Sequence, residues 1–113
     1  MHEMSIAMSI IDLATSEAQK GNAQKIVEVE LDIGTISGIE IQALNFAMEI
    51  AVKDTILETA RIKINRIEAI SECLECGEFF NSELTFSQCP ECKALNTRVI
   101  KGREMQVKSL LVE

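Results

Sequence analysis

The residues that most constrain this chain are its four cysteines. They fall in two pairs, ECLECG and QCPECK, and place Cys73, Cys76, Cys89 and Cys92 in the spacing C-x2-C-x12-C-x2-C. A C-x2-C turn lets two sulfurs face one side of a tight knuckle, where nearby amide N–H groups offset thiolate charge. Gly77 after the first pair and Pro90 inside the second suit so tight a backbone. Two knuckles supply four soft ligands in a tetrahedron, which Zn²⁺ fills completely at about 2.3 Å from each sulfur. Such a closed shell has no open position, so the ion is structural rather than catalytic. A module of roughly thirty residues, with Phe79, Phe80, Leu84 and Phe86 among its apolar side chains, cannot bury enough surface without it. Two disulfides or a dithiol redox pair are the competing readings. Disulfides suit a reducing cytosol poorly, and a redox pair accounts for only one C-x2-C.

The compartment itself is an expectation. No apolar run approaches the ~18 residues of a membrane span. His2 and Glu3 stand where an export signal would be basic, and Asp12 and Glu17 interrupt the apolar residues that follow. The expected location is cytoplasmic, with no membrane association. With 18 acids against 11 bases, the net charge is −7 and no basic stripe exists, so nucleic-acid binding is not expected. No nucleophile–base pair, phosphate loop or catalytic zinc motif is present, so the chain is not expected to be an enzyme.

Around the cysteines, periodicity predicts an α+β fold. Residues 4–20 place Met4, Ala7, Met8, Ile11, Ala14 and Ala18 on one helical stripe. The segment KIVEVELDIG alternates Val27, Val29, Leu31 and Ile33 against Glu28, Glu30 and Asp32, the pattern of a half-exposed strand. A second helix is expected at roughly 38–53, capped by Ser37, with Ile41, Leu44, Met48 and Ala51 inward. ARIKINRIEA, with Ala60, Ile62 and Ile64 alternating, and REMQVKSLLVE read as two more strands. The expected architecture is two helices packed on one face of a small three-stranded sheet, with a four-cysteine zinc-ribbon-like module inserted between the second and third strands. Residues 1–70 plus 102–113 would form one domain and 71–101 the module, with Gly102 as a candidate hinge. Joining the two through adjacent strand ends leaves room for strand exchange in a homodimer.

The N-terminus carries the second motif, MHEMSI, with His2 the one histidine in the chain. An initiator methionine ahead of histidine is expected to be retained. Its amine, the deprotonated His2 amide and His2 Nδ1 can then chelate a metal in two fused rings. Three coplanar nitrogens suit Ni²⁺ or Cu²⁺ better than Zn²⁺ or Mg²⁺. Glu3 is the nearest carboxylate for a fourth position, and Glu40 a more remote candidate. The residues alone leave this open against the alternative that an exposed histidine at position 2 has no role.

The combination of MHEMSI, VELDIGTISGI, CLECG, CPEC and the ending GREMQVKSLLVE resembles the HypA/HybF family over essentially the whole chain. That resemblance implies a nickel metallochaperone of [NiFe]-hydrogenase maturation. It implies Ni²⁺ carried at His2 with the Met1 amine and neighbouring groups, and structural zinc at Cys73, Cys76, Cys89 and Cys92. It also implies a HypB-type GTPase partner, delivery to the hydrogenase large subunit, and in some members urease maturation proteins as second partners. A zinc-ribbon adaptor in a larger assembly, with His2 incidental, is the alternative function.

Overall fold

The computed structural model describes residues 2–83 and 87–113. Met1, Leu84 and Phe86, singled out above, lie outside the described residues. In chain order the elements are α1 (Glu3–Lys20), β1 (Ile26–Gly34), α2 (Ile41–Ala51), β2 (Arg61–Ile67), β3 (Ile70–Cys73), β4 (Phe79–Asn81), β5 (Thr97–Lys101) and β6 (Met105–Val112). One sheet has the order β2-β1-β6, with β1 parallel to β2 and antiparallel to β6. A parallel pair needs a crossover, which α2 supplies. The second sheet, β4-β3-β5, is antiparallel and lies in the chain between β2 and β6. The fold is therefore α+β, two helices and small sheets, as the sequence pattern predicts.

The core forms where the helices cover β1. Val29, Leu31 and Ile33 are buried from the strand, Ala7, Ile10, Ile11, Ala14 and Ala18 from α1, and Leu44, Ala47 and Met48 from α2. Two expectations are corrected. Met4 and Met8 are 39% and 58% exposed, because Ile10 rather than Met8 lies on the buried stripe and turns the helix about its axis. Val27 is only half-buried, because the register against β6 shifts between Ile26 and Glu28 and puts Ile26 in the core instead.

The opposite face of β1 needs no cover. Asn65 Nδ2 donates to Glu30 Oε2 at 2.7 Å and to Asp32 Oδ1 at 2.9 Å, and Lys63 and Lys108 lie 3.9 and 3.5 Å from Glu30. The Asn65 amide is the main cause that holds both carboxyls below their ordinary pKa. This acidic strip is spent on its own network.

The two sheets meet at a joint of three backbones. Gly34 N donates to Glu104 O at 2.8 Å, Thr35 N to Ile67 O at 2.9 Å and Ile36 N to Gly102 O at 2.9 Å. Gly102 has φ +120°, and a Cβ there would sit 2.4 Å from Ala69 Cα; a Cβ on Gly34 would sit 1.9 Å from Gly102 O. The expected hinge is thus a buried, hydrogen-bonded contact point. Gly102→Ala should cost about 3 kcal/mol through unfavourable φ and overpacking. Urea denaturation of the purified variant checks this, and an unchanged midpoint would contradict the joint.

Candidate metal centres

The cysteine cluster is assembled by two knuckles of the same shape. In the first, Cys73 N donates to Glu78 O at 2.8 Å and Gly77 N to Cys73 O at 3.0 Å. In the second, Cys89 N donates to Ala94 O at 3.0 Å and Lys93 N to Cys89 O at 2.9 Å. Each needs a left-handed residue four positions after its first cysteine: Gly77 at φ 80°, and Lys93 at φ 66°. The sequence signalled the first turn by its glycine but gave no such sign for the second, where a lysine takes the conformation.

The four Sγ atoms lie within 4.8 Å of one another, with Cys73–Cys92 at 3.5 Å and Cys76–Cys89 at 3.6 Å, and none is in a disulfide. A regular tetrahedron of sulfurs about 2.3 Å from its centre has edges of about 3.8 Å. The cluster therefore fits a four-coordinate ion of zinc's size and softness. Amides point at the inner sulfurs: Cys76 N and Glu75 N each lie 3.4 Å from Cys73 Sγ, and Cys92 N lies 3.5 Å from Cys89 Sγ. The Cys76 and Glu75 N–H groups bring the Cys73 thiol down to about 7. The Glu78 N–H favours the Cys76 thiolate, but lost hydration and the neighbouring sulfurs push that thiol up to about 12. Four thiolates repel one another too strongly to ionise together unless a cation replaces their protons. Among the described residues, this is the only group of three or more Cys, His, Asp or Glu with metal-ligating atoms gathered in this way.

The N-terminal candidates sit on a different element. His2 is the exposed N-cap of α1, and its side chain makes no cap hydrogen bond. Glu3 is the first residue of that helix. Glu40 caps α2 instead of Ser37, its carboxylate accepting from Gln42 N at 3.2 Å and Ala43 N at 2.7 Å. Ser37 Oγ accepts from Ile39 N at 3.2 Å, so it shapes the approach to the helix rather than its first turn.

The structure also contains a link that no sequence motif announces: Glu40 N donates to Glu3 Oε2 at 3.2 Å. In a capping box the N3 Glu or Gln reaches back to the N-cap N–H; here N3 is Ala43, and Glu3 of the other helix fills that role. This bond is the main cause that holds the Glu3 carboxyl below its ordinary pKa. It brings the N-termini of α1 and α2 together and sets the Glu3 carboxylate, one residue after His2, on the backbone of Glu40. Glu40→Ala should cost about 1 kcal/mol, the usual value of a helix cap. Thermal unfolding measures it, with Glu40→Asp expected to keep most of the cap's contribution.

Fold and sites together define a small metal-handling protein: a helix-covered sheet carrying a closed four-thiol module. The family model described as hydrogenase/urease nickel incorporation, metallochaperone, hypA matches residues 1–112. The chain is 42% identical over 113 residues to the hydrogenase maturation factor HypA of Parabacteroides distasonis, spanning all of this chain and 98% of that one. It is 39% identical to the factor of the same name from Geobacter metallireducens, with both chains covered in full. The solution structure of the Ni metallochaperone HypA from Helicobacter pylori superposes with a TM-score of 0.69 at 29% identity, covering 99% of this chain and 97% of that one. The chain belongs to the HypA family of nickel-incorporation metallochaperones.

Proposed function

We propose that this chain binds Ni²⁺ at its N-terminus and delivers it to the large subunit of a [NiFe]-hydrogenase, while the four cysteines hold a structural Zn²⁺. The observation that carries the reading is the placement of His2: exposed at the start of α1, with its imidazole uncommitted to capping and one residue ahead of Glu3. The ligands would be the Met1 amine, the His2 amide and His2 Nδ1, with Glu3 the nearest carboxylate for the fourth place. Glu40 is the remaining candidate, and it would have to release the first turn of α2 to coordinate the ion.

The electrostatics support reversible carriage. Helix N-termini disfavour cations, and two of them meet here. The carboxylates of Glu3 and Glu40 offset that field without enclosing the ion. A solvent-open site with few protein ligands exchanges its metal readily, as a carrier requires and a metalloenzyme does not. Residues 1–70 plus 102–113 would be the nickel-carrying unit and 71–101 the zinc unit, working in the cytoplasm without catalytic turnover. A HypB-type GTPase is the expected partner on the helical side, where Met4 and Met8 are exposed and methionines adapt to varied contacts. Urease maturation proteins would be second partners.

Metal analysis of the purified protein tests the reading. One equivalent of resident zinc and one further equivalent of exchangeable nickel after Ni²⁺ addition are expected. Resident zinc with no retained nickel would favour a zinc-ribbon adaptor instead.

A further inference from the structure

Thr35 touches both sides of the joint between the sheets. Its own N–H donates to Ile67 O at 2.9 Å, and its Oγ1 accepts from Ala69 N at 3.0 Å. Ala69 is the root of the cysteine module: it is buried, it directly precedes β3, and its carbonyl accepts from Ser82 N at 3.1 Å just after β4. The residues on either side of Thr35 hold the other passage, Gly34 N to Glu104 O and Ile36 N to Gly102 O. A short segment, 34–40, then leads from Thr35 to Glu40, whose N–H is held by the Glu3 carboxylate beside His2. A continuous line of hydrogen bonds and backbone thus runs from the base of the thiol cluster to the start of α1.

We propose that Thr35 is a positioning residue for the N-terminal nickel site, an inference that rests on the function proposed above. Its hydroxyl fastens the root of the cysteine module to segment 34–40, so that the module, once folded around its ion, sets where Glu40 stands. Through the Glu40 N–H it also sets where Glu3 and His2 stand. The element with two states is the module itself, ordered with its metal and melted without it. Thr35 converts that local order into the geometry of a distant site. Valine has threonine's shape without its hydroxyl oxygen, so Thr35→Val removes the bond to Ala69, the direct tie to the root of β3, and leaves the backbone bonds of Gly34, Thr35 and Ile36 in place, while Thr35→Ser keeps it.

The experiment uses the full chain, ¹⁵N-labelled, as native protein, Thr35→Val and Thr35→Ser. The Glu40 amide resonance is followed before and after zinc is removed by a chelator. It is expected to move in the native and Thr35→Ser proteins and to stay in place in Thr35→Val. Ni²⁺ affinity is measured separately on the zinc-loaded forms, so that free thiols cannot compete. A drop of about fivefold is expected for Thr35→Val with zinc still at one equivalent, and recovery for Thr35→Ser, within the usual range of coupling between sites. A Glu40 amide that ignores zinc removal in the native protein, or that moves equally in Thr35→Val, would overturn the proposal. Should Thr35→Val fail to fold, Thr35→Ala replaces it under the same criteria. Absence of nickel binding in all three proteins would count against the nickel reading, while the amide shifts would still decide the role of Thr35.

Discussion

Cys76→Ser is expected to release the metal from the cysteine module and to melt it, while the helix-covered sheet keeps most of its structure. The reason lies in what the module buries. Among the described residues from Ile70 to Lys101, the fully or nearly fully buried side chains are Ser71, Cys73, Ser82 and Cys89. Ser71 and Ser82 pair hydroxyl to hydroxyl at 2.9 Å. Phe79 is 59% exposed and Leu95 78%, so neither supplies a core. Three short strands with no large buried apolar side chain among these residues depend on their ion, and structural zinc supplies apparent binding energies of about 10–16 kcal/mol in small domains. The main core, by contrast, is aliphatic and lies in α1, α2 and β1. Zinc content, together with amide dispersion or limited proteolysis of residues 71–101, reads the outcome. An ordered module in metal-stripped Cys76→Ser would contradict it.

Nickel affinity is expected to fall steeply as pH drops from about 8 to about 6, and His2→Ala is expected to abolish the site. An amine and an imidazole bind a metal only after losing their protons. The Glu3–Glu40 link does not add to this slope. The Glu3 carboxyl is held below its ordinary pKa by the Glu40 N–H, so the link's contribution is fully present above the usual carboxylate range. It is lost only as pH falls through that lowered value, well below the window in which nickel binding changes. Cu²⁺ should compete effectively, because it stands above Ni²⁺ in the divalent affinity order; selectivity then comes from supply and partner. Calorimetric titrations at several pH values check both statements, and a flat profile would argue for carboxylate or water ligands in place of the two nitrogens.

Much of this was legible in the sequence because it is periodic or spaced. Alternation of Val27, Val29, Leu31 and Ile33 marks β1, with Val27 alone displaced from the core by the register shift, and C-x2-C-x12-C-x2-C marks the thiol cluster whose sulfurs lie together. The misreadings have local causes. Met4 and Met8 fit a helical stripe as well as Ile10 does, and only the packed neighbours decide which way the helix turns. Ser37 is the commoner capping residue type, but Glu40 reaches the Gln42 and Ala43 amides because Glu3 fixes its backbone from the other helix. The joint was only partly legible for a similar reason: Gly102 stands out as a candidate hinge, but its partners Gly34–Thr35 and Ala69 lie far from it in sequence and follow no spacing rule, and only the crossing of three backbones shows that the glycine is a fixed contact point. Metal ligands close to one another in sequence announce themselves; contacts made across the fold do not.

Nickel carriage by this chain turns on whether the ion sits at its own amine and second residue. The measurement is isothermal titration of Ni²⁺ into three zinc-loaded proteins: the untagged chain, the same chain extended by a few residues before Met1, and His2→Ala. One-to-one binding is expected in the untagged chain, weakened binding in the extended form, which has lost the primary amine at Met1, and none in His2→Ala, with zinc content the same in all three. Unchanged one-to-one binding in both altered proteins would place the nickel elsewhere and contradict an N-terminal site.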